Sequence, residues 1–309
     1  MCLPRRTYLT EILRRIAASL VNRYNTSMEQ HTTIDCRLAT IACIGCGVMG
    51  GALLRAMTTL VAPQQITVSA ASMAEAQAFA AATGCVAAAS NADAVKGARV
   101  VFIAVKPAFV AQVLAELAPA LRHDAVVVSM AAGVTLETVA TALGAASDGR
   151  TLVRIMPNMP AAVGEAMIAL SARAIDAAQT SADVALVRAL LESAGKVELV
   201  DERLMDCVTA VSGSGPAFAF MFIEAMADAA VRLGMPRAQA YTYAAQTLKG
   251  SAAMVLEDGR HPAALKDGVC SPAGTTIAGV AALERAGFRN AVIEAVQAAY
   301  ERSVSLGKQ

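Results

Sequence analysis

Residues 39–51 read ATIACIGCGVMGG, a short apolar run that passes directly into a turn with glycines at positions 45, 47 and 50. Gly45 permits a tight turn, Gly47 leaves room for a pyrophosphate, and Gly50 lets the next helix approach the strand. The N-terminus of that helix would present free amide donors to the phosphates. Because the turn joins a predicted strand to a predicted helix, it predicts a dinucleotide-binding site; the alternative is a purely structural glycine turn. The candidate cofactor-binding residues of this turn are Gly45, Gly47, Val48, Met49 and Gly50.

Short β-branched runs alternate with alanine-rich helical stretches over the first two thirds of the chain. The runs occupy 39–44, 66–69, 99–105, 125–130 and 151–156, and weaker ones follow at 166–170 and 197–200. This alternation predicts a parallel sheet covered by helices. The remainder reads as helical, with helices expected from Pro216 to Gly234 and over 237–256 and 275–305. We therefore expect an α/β fold, with a Rossmann-type domain over 39–201 and an all-helical domain over 202–309.

The composition is more apolar than that of an ordinary soluble domain, which suggests that some apolar surface is buried against another subunit. Of its 309 residues, 56% are hydrophobic and 17% are charged, and the mean hydropathy is +0.51. No uninterrupted apolar stretch reaches the roughly 18 residues of a membrane span, so none is expected. The apolar surplus is mostly alanine, which predicts helices whose faces meet another subunit in a homo-oligomer.

The charges and cysteines exclude several classes of protein. Lys and Arg number 26 against 25 Asp and Glu, which leaves no basis for a large nucleic-acid surface. Seven scattered cysteines favour reduced thiols and a cytoplasmic location over a disulfide scaffold. Cys43 and Cys46 form C-x-x-C, but no second pair or histidine cluster completes a metal site, so no metal is expected.

The first 38 residues differ from the rest, because five arginines are offset by a single glutamate before Met28. A basic amphipathic helix, as in a transit peptide or surface anchor, is one interpretation. We favour a disordered extension, with Met28 as the initiator.

The end of the second strand bears on which dinucleotide binds. It reads Ser69-Ala70-Ala71-Ser72, and no carboxylate occurs before Glu75. An acidic residue there would bind the ribose diol of NADH and repel the extra phosphate of NADPH. Its absence favours NADPH, with Ser69 and Ser72 as phosphate contacts; ordinary turn serines are the alternative.

A second polar turn, Ser271-Pro272-Ala273-Gly274-Thr275-Thr276, leads into an alanine-rich helix. Successive backbone amides and hydroxyls at a helix N-terminus form a nest that suits a carboxylate. An ordinary N-cap is the alternative, but it needs only one of these hydroxyls. The turn therefore predicts a substrate-binding loop.

Residues 41 to about 305 resemble pyrroline-5-carboxylate reductases through ordered motifs, namely IGCGVMG (44–50), VFIAVKP (101–107), VRIMPNMPAAVG (153–164), VTAVSGSGPAF (208–218) and HPAALKDGVCSPAGTTIAGVAALE (261–284). The resemblance implies reduction of 1-pyrroline-5-carboxylate to L-proline with NAD(P)H, the last step of proline biosynthesis. It also implies that the C-terminal helices form a homodimer, often assembled further into rings, with active sites at the dimer interface.

The same resemblance implies roles for single residues. Ser271, Gly274, Thr275 and Thr276 would hold the substrate, with the Thr276 hydroxyl directed at the ring nitrogen as the catalytic group. Val105, Lys106 and Pro107 would border the nicotinamide, and Asn91 would contact the adenosine end of the cofactor. Each has a structural alternative: Lys106 as a solvated turn lysine, Pro107 as a proline that starts a helix, and Asn91 as the N-cap of the following helix.

For two further segments, a purely structural role is the alternative to a role in the active site. Asn158 either shapes the site or bonds nearby backbone as a loop residue. For residues 213–216 we favour a tight corner between helices over direct chemistry.

Five positions depart from the family pattern, namely Val48, Met159, Ala166, Cys270 and Ala273. Ala273 replaces a glycine of the substrate loop and disfavours a positive φ, and Val48 removes a polar contact near the cofactor. Affinity and nucleotide preference are the properties these changes would affect.

Two other functions would use the same fold. One is a reductase of the β-hydroxyacid dehydrogenase type, but that chemistry needs a lysine that the stretch GSGPAFAFMFIEA (213–225) lacks. The other is a non-catalytic NADP-sensing protein, which would not need the 271–276 loop.

Overall fold

The computed structural model describes residues 35–173 and 177–307. The basic extension expected over residues 1–38 lies almost wholly outside the described residues.

A single eight-stranded sheet forms the N-terminal part of the described chain. The strands are β1 (Ile41–Ile44), β2 (Ile66–Ser69), β3 (Val86–Ala87), β4 (Val100–Ile103), β5 (Val126–Ser129), β6 (Leu152–Met156), β7 (Ala166–Arg173) and β8 (Gly195–Leu199). Their order is β3-β2-β1-β4-β5-β6-β7-β8, and every neighbouring pair is parallel except β6 with β7. The first six strands have the order of a Rossmann fold, which confirms the predicted fold class.

The central strands are buried on both faces. Every residue of β1, β4, β5 and β6 is buried, as expected where helices cover both faces of a parallel sheet. This explains why the sequence shows continuous apolar runs there instead of alternation. The two-residue β3 had no such run and was not predicted.

Helices connect the strands and make up the rest of the chain. They are α1 (Val48–Met57), α2 (Met73–Thr83), α3 (Asn91–Val95), α4 (Val110–Leu117), α5 (Leu136–Leu143), α6 (Ala177–Leu191), α7 (Met205–Val208), α8 (Gly215–Arg232), α9 (Arg237–Asp258), α10 (Pro262–Val269), α11 (Thr275–Arg285) and α12 (Phe288–Leu306). The helical stretch predicted over 275–305 is thus two helices, because Gly287 takes a φ of +74° between them. Helix α10 was not predicted.

Residues 213–216 do not form the expected corner between two helices. A π-turn over Thr209–Gly213 joins α7 to α8, and the amide of Ser214 donates to the Thr209 carbonyl at 2.9 Å. The chain therefore stays helical from Glu202 to Arg232. A π-turn inserts an extra residue per turn and recurs at functional sites.

The C-terminal helices bury little apolar surface of their own. In residues 202–307 the buried apolar side chains are Met205, Ala210, Ala227, Ala240 and Ala244. Large exposed ones include Phe220, Met221, Tyr243, Leu256 and Ile293. The run Glu202–Arg232 is long and apolar enough to cross a membrane by length and composition, and only 6% of its most apolar window is buried. An apolar surface of this extent marks an interaction site.

Candidate dinucleotide and substrate site

The glycine turn lies where three parallel strands end together. Gly45 has a φ of +96°, and its amide donates to the Ser69 carbonyl at the end of β2, at 2.9 Å. A Cβ at this position would come within 2.6 Å of the Ala104 carbonyl oxygen, just past β4. Both the backbone conformation and the space therefore require glycine at position 45.

Gly47 and Gly50, the other two glycines of the motif, have different structural roles. A Cβ on Gly50 would lie 2.8 Å from Ala104 Cβ, so this glycine lets α1 approach the sheet. A Cβ on Gly47 would meet nothing within 4 Å. Gly47 is the N-cap of α1 and, having no side chain, leaves the first amides of α1 without a side-chain cap. That arrangement fits a pyrophosphate.

A cleft of about 970 Å³ opens at this end of the sheet. Its lining residues include Gly45, Cys46, Gly47, Val48, Ala70, Glu75, Asn91, Val105, Lys106 and Glu116. Met49, half-buried in the first turn of α1, and Pro107, which starts a short 3-10 turn, adjoin these residues in the chain. Ligands of open α/β sheets bind at the carboxyl ends of the strands, so both the position and the size suit a dinucleotide.

A chain of three side chains occupies the β2 end of the cleft. Ser69 is only 3% exposed, and its hydroxyl donates to Asn91 Oδ1 at 2.8 Å. Asn91 Nδ2 in turn donates to Glu116 Oε2 at 3.3 Å. Since the Ser69 hydroxyl is already engaged, its direct effect is to orient Asn91, which is the first residue of α3 and not its N-cap.

Ser72 lies beside that chain, in a hollow that the chain also lines. Ser72 is the N-cap of α2, where its oxygen accepts from the Glu75 amide at 3.3 Å. Ser69, Ser72, Asn91 and Glu116 line a smaller adjoining hollow of about 210 Å³. The sequence argument missed Glu116, because it considered only the end of β2 and Glu116 comes from α4. Its spacing in the sequence carries no signal of this proximity.

The cysteines of the turn are not a reactive pair. Cys43 is buried in β1, its thiol donates to the Gly45 carbonyl at 3.2 Å, and burial strongly raises its pKa. Burial also raises the pKa of Cys46. Both sulfurs are therefore thiols at neutral pH and poor nucleophiles. Among the described residues, no group of three or more His, Cys, Asp or Glu side chains could hold a metal ion.

The second predicted loop is a tight turn into α11. The Gly274 amide donates to the Ser271 carbonyl at 3.0 Å, and a Cβ on Gly274 would collide with Ser271 Oγ. Ala273 has a φ of +58°, the one positive value at a non-glycine position in the described chain. Gly274 caps α11 without a side-chain bond, which leaves the amides of Thr275 and Thr276 available. Ser271 and Thr275 are exposed and Thr276 is half-buried.

The second loop contributes no residue to the lining of the cleft. The lining residues of the cleft all come from residues 44–116, whereas the substrate-type loop spans 271–276. If both act on one substrate, another copy of the chain can bring its second loop to the cleft.

Comparison with known proteins gives the family. Residues 40–133 match a family described as NADP oxidoreductase, coenzyme F420-dependent, and residues 202–306 match the pyrroline-5-carboxylate reductase dimerisation family. The chain is 47% identical to the pyrroline-5-carboxylate reductase of Escherichia coli K12 over 270 residues, which cover 87% of this chain and 98% of that one.

Comparison with solved structures gives the same family. The chain resembles a pyrroline-5-carboxylate reductase from Coxiella burnetii with 31% identity and a TM-score of 0.77, over 88% of this chain and 99% of that one. It also resembles the Plasmodium falciparum pyrroline carboxylate reductase solved with NADP bound, with 28% identity, a TM-score of 0.78 and the same coverage of both chains.

These matches confirm the resemblance seen in the sequence motifs, and neither the β-hydroxyacid dehydrogenase reading nor the non-catalytic one is favoured. Identity at this level, across nearly the whole length of both chains, shows that this chain belongs to the pyrroline-5-carboxylate reductase family.

Proposed function

We propose that this chain reduces the C=N bond of 1-pyrroline-5-carboxylate to give L-proline, with NADPH as the hydride donor. The observation that carries the proposal is the open amide cradle of Gly47 and α1 at the carboxyl ends of β1, β2 and β4. The family relationship supports the choice of substrate.

The residues of the cleft would hold the cofactor, which supplies the hydride when bound. Gly45, Gly47, Val48, Met49 and Gly50 would face the pyrophosphate. Val105, Lys106 and Pro107 would border the nicotinamide, and Ser69, Ser72 and Asn91 would face the adenosine end. NADPH is proposed because β2 ends without a carboxylate; Glu75 and Glu116 line the cleft nearby, so NADH is the comparison that the assay needs.

The turn before α11 would hold the substrate. The amides at the start of α11, with the hydroxyls of Ser271 and Thr275 and the close turn at Gly274, suit the substrate carboxylate. Thr276 would direct its hydroxyl at the ring nitrogen. A cyclic imine can arrive protonated, so this site needs no strong acid, and Thr276 either donates a proton or orients the nitrogen.

Two copies of the chain would complete each site. The helices of residues 202–307 leave large apolar side chains uncovered, and pairing two copies would cover them while bringing the loop of one protomer to the cleft of the other. Under this proposal the apolar run Glu202–Arg232 faces a second copy and not a membrane, and dimers can assemble further into a ring. We propose a cytoplasmic enzyme with a cofactor domain over 39–201 and a substrate and dimerisation domain over 202–309.

The test is a spectrophotometric assay of the purified protein with the cyclic imine and either NADPH or NADH. We expect imine-dependent oxidation of NADPH, faster than that of NADH at equal concentrations, from a species that elutes as a dimer or a multiple of it. Tight NADPH binding without oxidation in the presence of the imine would instead identify a non-catalytic sensor.

A further inference from the structure

The side chain of Asn158 joins three elements at the carboxyl end of the sheet. Asn158 follows β6 directly and is 8% exposed. Its Nδ2 donates to the carbonyl oxygen and to Oγ of Ser212, each at 3.2 Å. Its Oδ1 accepts from the amide of Met167, in β7, at 3.1 Å. All three contacts are to residues outside its own loop, unlike those of an ordinary loop asparagine.

The Ser212 carbonyl needs such a donor because of the residue four positions later. In a regular helix the amide of residue 216 would donate to it, but Pro216 has no N–H. The next amide, of Ala217, donates to the Ser214 carbonyl at 3.0 Å. Ser212 is half-buried, a carbonyl shielded from water without a partner is destabilising, and the Asn158 amide supplies a hydrogen bond to it.

The two ends of this contact belong to the two halves of one protomer, each of which would contribute to a proposed site. On one side, the 3-10 turn Met159–Val163 begins directly after Asn158 and packs against α1, the helix of the proposed pyrophosphate site. On the other side, the π-turn that contains Ser212 packs against α12, and α12 packs against α11 with Thr275 and Thr276. The hydrogen bonds between Asn158 and Ser212 therefore link the cofactor domain of a protomer to its helical domain.

We propose that Asn158 is a positioning residue for hydride transfer, which acts by holding the π-turn at a set distance and angle from the carboxyl end of the sheet. The inference rests on the proposed function. Asn158 is not among the residues that line the cleft, which come from residues 44–116, and the proposal assigns it no contact with the cofactor. Hydride transfer is sensitive to small displacements, and misplacement by about 1 Å reduces rates by about 100-fold.

Asn158→Asp tests the donor atoms specifically. It keeps an oxygen to accept from Met167 and replaces the amide nitrogen with an oxygen that repels the Ser212 carbonyl. We expect kcat to fall by about tenfold or more while the Kd for NADPH changes by less than about twofold. The primary isotope effect with 4-deuterated NADPH should rise, because hydride transfer becomes the limiting step.

Two further variants separate positioning from stability. Thr151→Val, directly before β6, removes a buried hydrogen bond to Asp183 of 2.5 Å and should lower Tm without changing kcat or the isotope effect. Ser212→Ala removes only the Oγ contact and is expected to fold. It should give a smaller fall in kcat and a smaller rise in the isotope effect. If Asn158→Asp does not fold, Ser212→Ala still tests the positioning role.

The outcomes distinguish the two proposals. An active wild type, with wild-type kcat and isotope effect in the folded variants of Asn158 and Ser212, would overturn the positioning role and leave the proposed function standing. Equal losses of kcat in Thr151→Val and Asn158→Asp would overturn it as well, since the effect would then follow stability. A wild-type protein that does not reduce the imine would overturn both.

Discussion

Ala273→Gly is the substitution for which the structure predicts an effect opposite to the usual one. Ala273 holds a φ of +58° in the turn between α10 and α11, with Pro272 before it and the Gly274 amide closing the turn onto the Ser271 carbonyl at 3.0 Å. In a turn of this kind, the third position favours glycine because a Cβ clashes with the backbone at positive φ.

The magnitude follows from two opposing terms. Relief of the left-handed conformation is worth about 1–2 kcal/mol. The greater conformational entropy of glycine in the unfolded chain reduces this gain in stability by about 0.4–1 kcal/mol. We therefore expect Ala273→Gly to raise the free energy of unfolding by about 0.5–1 kcal/mol, and Tm by about 1–3 °C for a chain of this size.

Thermal unfolding at one fixed protein concentration measures this effect, since dissociation of an oligomer would otherwise shift Tm. Ala278→Gly, in the exposed middle of α11, is the matched control and should destabilise by about 1 kcal/mol. Equal decreases in Tm for both variants would refute the argument from backbone strain. If the loop also binds substrate, Ala273→Gly should lower the KM for the imine.

The remaining predictions concern chemistry, cofactor choice and stability. Thr276→Ala should lower kcat/KM for the imine by about 10- to 100-fold and leave the Kd for NADPH unchanged; unaltered steady-state constants would remove Thr276 from the mechanism. Ala70→Asp should weaken NADPH by about tenfold relative to NADH, measured by cofactor titration, and equal effects on both would show that the argument from the end of β2 is wrong. Asp183→Ala should lower the free energy of unfolding in urea by about 3 kcal/mol, because Asp183 is buried against Arg99 and Thr151; a loss below about 1 kcal/mol would contradict a structural role for this ion pair.

Local patterns account for the parts of the fold that were predicted. Seven of the eight strands lie within or overlap predicted runs. The clearest runs are those of β1, β4, β5 and β6, because a strand covered on both faces must be apolar along its whole length. The glycine turn was predictable because its glycines have a recognisable spacing between a strand and a helix, although the close packing at Gly45 and Gly50 is against Ala104, which follows β4. The π-turn in place of a corner was not predictable, since it depends on how the helix is held on the sheet.

The sequence by itself indicated the Rossmann-type fold class, the glycine turn, the helical second half and the family, because each depends on residues close together in the chain or on whole motifs. Tertiary structure alone decided which side chains from distant elements meet. It brought Glu116 beside Asn91 and Asn158 beside Ser212, and it formed the cleft from residues 44–116 without the substrate-type loop. Contacts of this kind are set by the packing of helices and strands against each other, and neighbouring residues in the sequence contain no period or spacing that records them.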